Sequence, residues 1–165
     1  MGCEEDEVFG RMQGLLDRLP AMQAEQARLE QHHEALQIDR LAQRAEADAQ
    51  ELANLDDEIA RVKGLLDAAS GGSDAQETDR LQRLALFLGN QRGYKTAPAR
   101  NSRSEFDQAL GESRFSDSDD CRAALLPPEE AARRECALCS YREDYQKSLA
   151  ACQIVEEGSA TAFSV

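Results

Sequence analysis

Apolar residues recur every three and four positions over residues 38–69, which is the pattern of a coiled-coil helix. Counting from Ile38, nine of the ten a and d positions are apolar, and Asp48 is the exception. A heptad sustained over so many repeats predicts a helix that must pack its apolar stripe against another helix. We call this stripe the seam and expect its larger members to carry the contact: Ile38, Leu41, Leu52, Leu55, Ile59, Val62 and Leu66.

The repeat continues upstream in a different phase. Leu15, Leu29 and Leu36 lie at multiples of seven residues, and the phase slips directly after Leu36. Pro20 falls near the start of this stretch, where a proline either begins a helix or breaks a shorter one. The sequence does not decide which helix packs on so long a stripe. The candidates are the C-terminal half of the same chain, a second copy and a different protein.

The segment after residue 69 predicts a hinge and then a short helix. Residues 70–73 read Ser-Gly-Gly-Ser, and Ser73 followed by Gln76 has the spacing of a capping box. With a hinge before it, this helix can fold back on the coiled-coil arm as a helical hairpin. Its predicted apolar face consists of Leu81, Leu84, Phe87 and Leu88.

A basic stretch overlaps this helix, because residues 80–103 hold six cations and no acid. Residues 91–103 are rich in Gly, Pro, Asn and Ser, so the pattern predicts an extended loop there. The cations dock on an acidic partner surface or compensate the acidic arm of the same chain. One aromatic residue among them is too few for a typical nucleic-acid site. The candidate docking residues of the loop are Arg92, Lys95, Arg100 and Arg103.

The last third of the chain predicts a helical hairpin. Ser102 and Glu105 have the spacing of a capping box that opens a short helix, and Pro127-Pro128 with the acids after them open a long one. We expect the long helix to end near Gly158. Its apolar stripe consists of Leu138, Tyr141, Tyr145, Leu149, Cys152 and Val155.

The cysteines of this region suggest alternative chemistries. Cys121 and Cys136 are equally distant from the two prolines, so a hairpin bent there would set them level for a disulfide. Cys139 completes a C-x-x-C with Cys136, but a single such pair is weak support for a four-cysteine zinc site with Cys121 and Cys152. Buried or incidental thiols are the simplest interpretation.

Two further residue groups have candidate chemistry. The start Met1-Gly2-Cys3 partly matches an acylation motif, with Gly2 for myristate and Cys3 for palmitate, and only such acylation would imply membrane binding. His32 and His33 are adjacent and point to different sides of a helix, so we predict that both are solvated. No motif for phosphate binding, dinucleotide binding or hydrolysis is present.

Composition narrows the function classes further. The chain of 165 residues has a net charge of −13, 31% charged residues and only 5% aromatic residues. Few β-branched and aromatic residues disfavour a β-sandwich or barrel, and the acidic balance disfavours binding to nucleic acid. No stretch approaches the ~20 apolar residues of a spanning helix.

Together these patterns predict an all-α, elongated protein in three parts. The parts are an acidic coiled-coil arm over 1–69, a hinge with a short helix and basic loop over 70–103, and a helical module with four Cys over 104–165. We expect a non-enzymatic structural or adaptor subunit that needs no cofactor or metal. Its expected partners are other protein chains, in a homo- or hetero-oligomer, and not nucleic acid.

The sequence does not decide in which cellular assembly the protein works. A cytoplasmic cytoskeletal or ciliary assembly and an accessory role in a respiratory complex are both candidates. The alternative functions are a small zinc-binding or disulfide-stapled helical module and an N-acylated membrane adaptor. A disulfide would point to an oxidising space such as the mitochondrial intermembrane space.

Overall fold

The computed structural model describes the backbone of residues 2–69 and 75–162 and the side chains of residues 5–69 and 75–156. Within these ranges the chain forms helices and no strand, which confirms the all-α class. The helices are α1 (Gly2–Ala69), α2 (Ala75–Glu112), α3 (Ser118–Ala123) and α4 (Pro128–Ala162). The predicted hinge at 70–73, including the capping Ser73, lies outside the described residues. None of the helices in the described ranges combines the length and apolarity needed to cross a bilayer.

The chain divides into two compact units that share α1. Unit 1 consists of Met1–Glu34 and Ala124–Val165, and unit 2 consists of Ala35–Ala123. The division within α1 falls close to Leu36, where the heptad phase slips. Pro20 neither begins nor breaks the helix but lies inside it. Each phase of the repeat therefore serves the core of a different unit.

Unit 2 is an antiparallel hairpin of α2 on the second half of α1. Its core cluster joins Val62 of α1 to Leu81 and Leu88 of α2. Toward the other end of the hairpin, Glu51 pairs with Lys95 and Arg44 pairs with Glu105, so residue numbers rise along one helix as they fall along the other. All seven of the larger seam residues are buried or partly buried in this unit. The fold-back is thus present, and α2 of the same chain packs on the seam that we expected a partner to cover.

The predicted loop at 91–103 is wrong, because α2 is helical throughout that segment. Its buried residues recur at the heptad spacing of Leu81, Leu88 and Ser102, with Phe106 four residues later. Ser102 therefore does not cap a new helix. It is 2% exposed, and its hydroxyl donates to the carbonyl of Ala99 at 3.1 Å. Because both ends of α2 pack on α1, the residues of low helix propensity between them stay helical.

Unit 1 packs α4 antiparallel to the first half of α1. Leu29, Ala131 and Leu138 form its core, with Met22 and Leu126 partly buried against them. The predicted stripe of α4 is confirmed at Leu138, Tyr141 and Cys152, which are buried, and is wrong at Leu149, which is 40% exposed. The hydroxyl of Tyr141 donates to the carbonyl of Leu15 at 2.8 Å.

Polar contacts complete this unit. Arg134 donates two hydrogen bonds to Glu130 and a third to Glu25 across the helix pair. Donation from Arg134 holds the pKa of the Glu130 carboxyl below its usual range. Because the guanidinium of Arg134 binds an acid on each helix, these contacts fix the register of α4 against α1.

Local capping sets the start of α3 and α4. The carboxylate of Asp117 accepts from the backbone N–H groups of Asp119 and Asp120, which caps α3. The carbonyl of Pro127 accepts from the N–H groups of the first turn of α4, as expected for a helix opened by proline. The predicted end near Gly158 is early, because α4 continues to Ala162.

Candidate interaction surface

Unit 2 exposes several large apolar side chains. Leu84 is 36% exposed, Phe87 57% and Tyr94 82% on α2, and Leu65 is 53% exposed on α1. Isolated apolar residues on a surface are common, whereas a contiguous group marks an interaction site. The question is therefore whether these residues share one side of the hairpin.

Helical spacing places them together. Leu84, Phe87 and Tyr94 are three and seven residues apart, which aligns them along one side of α2. Tyr94 lines the same groove as Glu58 of α1. Seven residues before Tyr94 on α2 lies Phe87, and seven residues after Glu58 on α1 lies Leu65. Because the two helices are antiparallel, both steps lead in the same direction, so Leu65 of α1 extends the same surface. We call the four apolar residues the exposed stripe: Leu65, Leu84, Phe87 and Tyr94.

A groove lies at one end of the exposed stripe. It has a volume of about 480 Å³ and is open to solvent. The partly buried side chain of Leu55 contributes apolar surface to it. The remaining lining residues are Glu51, Asn54, Glu58, Gln91, Tyr94 and Lys95.

Charged residues flank the stripe at its two ends. Arg80 and Arg83 lie one to two turns before Phe87 on α2, and each pairs with an acid of its own helix, Glu77 and Asp79. At the other end, Glu51 pairs with Lys95 at 2.9 Å. Exposed pairs of this kind contribute little to stability, so these side chains can exchange partners at small cost.

The four candidate docking cations are helical and mostly serve unit 2 itself. Arg92 binds Asp56 of α1, and its donated hydrogen bond lowers the pKa of that carboxyl. Lys95 pairs with Glu51, and Arg103 pairs with Asp107 at 3.1 Å while lying over the ring of Phe106. Arg100 is exposed. The basic stretch is therefore not a free strap, since Arg92 and Lys95 pair with acids in the second half of α1.

A second, shallower groove runs along unit 1. Two openings of about 280 Å³ and 270 Å³ share Gln26, Leu138 and Arg142 as lining residues. Its apolar floor is already buried by the α1–α4 contact, since Leu138 and Tyr141 are each 6% exposed. It offers a partner less apolar surface than the exposed stripe does.

The cysteines do not assemble into one of the expected sites. Cys121 and Cys136 are not joined by a disulfide. Cys121 is buried and donates to the carbonyl of Ala35 at 3.4 Å, whereas Cys136 is exposed. Both thiols are free in the structure, and their bridging stays a prediction. Among the described side chains, no three His, Cys, Asp or Glu residues cluster in a way that could hold a metal ion.

Two further residue predictions can be compared with the structure. His33 is solvated and contacts Glu135 at 2.8 Å, as expected, but His32 is 6% exposed, so its predicted solvation is wrong. It packs where the chain enters α4. The acylation hypothesis concerns Gly2 and Cys3, whose side chains lie outside the described residues.

Sequence reasoning missed the exposed stripe. It assigned Leu84 and Phe87 to the same apolar face as Leu81 and Leu88, and it placed Tyr94 in a loop. The pattern that separates the two groups is the heptad of α2 carried past residue 90, because Leu81, Leu88 and Ser102 are buried at multiples of seven residues. Leu84, Phe87 and Tyr94 are apolar residues that lie off this buried line.

Comparison of the chain with protein-family models, with curated proteins and with solved structures finds no match in any of the three.

Proposed function

We propose that the chain is a non-enzymatic assembly module whose unit 2 binds an amphipathic helix of a partner along the exposed stripe. The observation that supports this is the line of Leu84, Phe87 and Tyr94 on α2, whose side chains are exposed beside the contact with α1. A two-helix hairpin buries one side of each helix only, and a third helix completes the core.

The chemistry of the stripe defines what would bind. Aromatic and leucine side chains at helical spacing accept the apolar face of another helix, with residues at i, i+3 or i+4 and i+7 as anchors. Phe87 lies at the centre of the stripe, where truncation in an interface has the largest effect. The charged ends set the direction in which the partner helix lies.

The test replaces Phe87 with Asp and uses Leu86→Asp as its matched control. Leu86 is the neighbouring residue, is 69% exposed and lies on a different side of α2. We expect Phe87→Asp to abolish association with the partners that co-purify from the native source, and Leu86→Asp to retain it. Retention of all partners by Phe87→Asp, with helicity unchanged by circular dichroism, would contradict the proposal.

No residue of the surface selects among the cytoskeletal, ciliary and respiratory settings. These settings, and the cytoplasmic location, stay predictions from the sequence. The zinc-binding alternative lacks a ligand cluster among the described residues, and the disulfide staple is not formed. The assembly function is therefore the one that the described surface favours.

A further inference from the structure

We infer that the helix bound by the exposed stripe belongs to a second copy of this chain, related by a two-fold axis. This inference rests on the proposed function and names its partner. It comes from the charges at the ends of the stripe, which differ in sign.

One end of the stripe is basic and the other is acidic. Arg80 and Arg83 are the charged residues that precede the stripe on its own side of α2, and both side chains are more than 75% exposed. At the Tyr94 end, the groove is bordered by the carboxylates of Glu51 and Glu58 and by the single ammonium of Lys95, so acids are in excess there. The α2 residues of the stripe span about 15 Å from Leu84 to Tyr94, at 1.5 Å per residue, with Gln91 between Phe87 and Tyr94.

A two-fold axis matches these ends to each other. In a symmetric interface the same patch contacts itself, so the basic end of one copy lies on the acidic end of the other. The midpoint between Arg80 and Tyr94 falls at Phe87, which places this aromatic ring at the axis against its own copy. Two hairpins joined in this way make a four-helix bundle, which is a common closed architecture for paired hairpins.

A parallel arrangement of two copies would not bring opposite charges together. It would set Arg80 against Arg80 and Glu58 against Glu58, and like charges across an interface are costly. The local pairs of Arg80 with Glu77 and of Glu58 with Arg61 are exposed and weak. These side chains can therefore leave their local partners and pair across the dimer.

The test is a charge exchange in the full chain, measured by sedimentation equilibrium or light scattering over a concentration series. Arg80→Glu/Arg83→Glu and Glu58→Lys each reverse one end of the stripe. We expect either variant alone to dimerise at least about tenfold more weakly than the wild type. Mixed together, they should recover a heterodimer, because the reversed ends then face each other and the unchanged ends do as well.

Lys63→Glu is the charge control, since Lys63 is exposed on α1 away from the stripe. It should dimerise like the wild type. A wild-type chain that is monomeric at every concentration would overturn the second-copy inference. The proposed function would survive that result if Phe87→Asp still lost a different partner. A dimer that is unaffected by both Phe87→Asp and the charge reversals would also overturn the second-copy inference, because it would then form on another surface.

Discussion

His32 is 6% exposed, and its Nδ1 accepts a hydrogen bond from the backbone N–H of Leu126 at 3.0 Å. Burial lowers the pKa of His32 below the usual value, and the nearby charges of His33 and Arg28 act in the same direction, while Glu135 opposes them. Since a protonated Nδ1 cannot accept this bond, the fold requires the neutral imidazole. Protonation of His32 would therefore break a hydrogen bond near the start of α4, which makes this contact dependent on pH.

We expect unit 1 to lose stability in mild acid because of His32. The pKa is lower in the folded than in the unfolded chain, so the stabilisation is complete above the ordinary histidine pKa of about 6.5 and falls as the pH drops below it. Urea unfolding, followed by tyrosine fluorescence between about pH 7.5 and pH 5.5, measures this. His32→Asn, which keeps an acceptor but does not titrate, should reduce the dependence. His33→Asn removes only a smaller contribution to the lowered pKa of His32, so it should reduce the dependence less, and the reverse order of the two variants would contradict the assignment to His32.

At the scale of the element, the middle of α2 is the weakest helical segment in unit 2. Residues 89–98 are exposed throughout and include Gly89, Gly93 and Pro98. Glycine lowers helix stability by about 1 kcal/mol relative to alanine, and an internal proline by about 3 kcal/mol. Against this, the segment gains two cross-helix ion pairs, through Arg92 and Lys95. Exposed pairs contribute only about 0.2–1 kcal/mol each.

We therefore expect amides between residues 90 and 97 to exchange hydrogen faster than those of residues 81–88, because the segment opens without unfolding the Leu81–Leu88 core. Gly93→Ala should slow exchange of this segment about fivefold, which corresponds to about 1 kcal/mol. A Cβ at Gly93 meets no atom within 4 Å, so the substitution adds no clash. Gly14→Ala, equally open but in unit 1, is the control. Equal protection of both segments would show that the ion pairs stabilise the helix more than exposed pairs usually do.

The same segment shows how far sequence reasoning reaches. The seam of α1 and the stripe of α4 could be predicted, because apolar residues at helical spacing report burial directly. The central part of α2 could not, since Gly93, Pro98 and Asn101 have the local preferences of a loop. Contacts of Leu81 and Phe106 with a distant part of the chain override those preferences. The exposed stripe was missed for the same reason, because a register is needed to tell Phe87 from Leu88.

At the scale of the whole molecule, thiol reactivity gives a test of the fold. Cys136 and Cys139 are exposed, whereas Cys121 is 2% exposed and Cys152 is 8% exposed. In a Cys3→Ser background, we expect two thiols to react rapidly with a disulfide reagent under native conditions. All four should react in denaturant without a reductant. A total of two in denaturant would reveal a disulfide and contradict the structure.

Charges of opposite sign also pair between the helices of unit 2. The excess of acid in the second half of α1 meets the cations of α2, through Arg92 with Asp56 and Lys95 with Glu51. The composition predicted an acidic protein with a basic segment set apart. Which acids those cations would meet could not be predicted, because the pairs join positions 36 and 44 residues apart.

The discontinuous make-up of unit 1 has a consequence for biosynthesis. The hydrogen bond from Tyr141 to Leu15 joins positions 126 residues apart, whereas unit 2 is one continuous stretch of chain. A ribosome that adds about 5–20 residues per second needs about 2–8 s to extend the chain from the end of unit 2 at Ala123 to the end of α4 at Ala162. During that interval the apolar line of Leu15, Met22 and Leu29 has been synthesised but lacks its partner helix. Unit 1 therefore folds only after α4 has been made, and this line is the surface that a nascent-chain chaperone would meet.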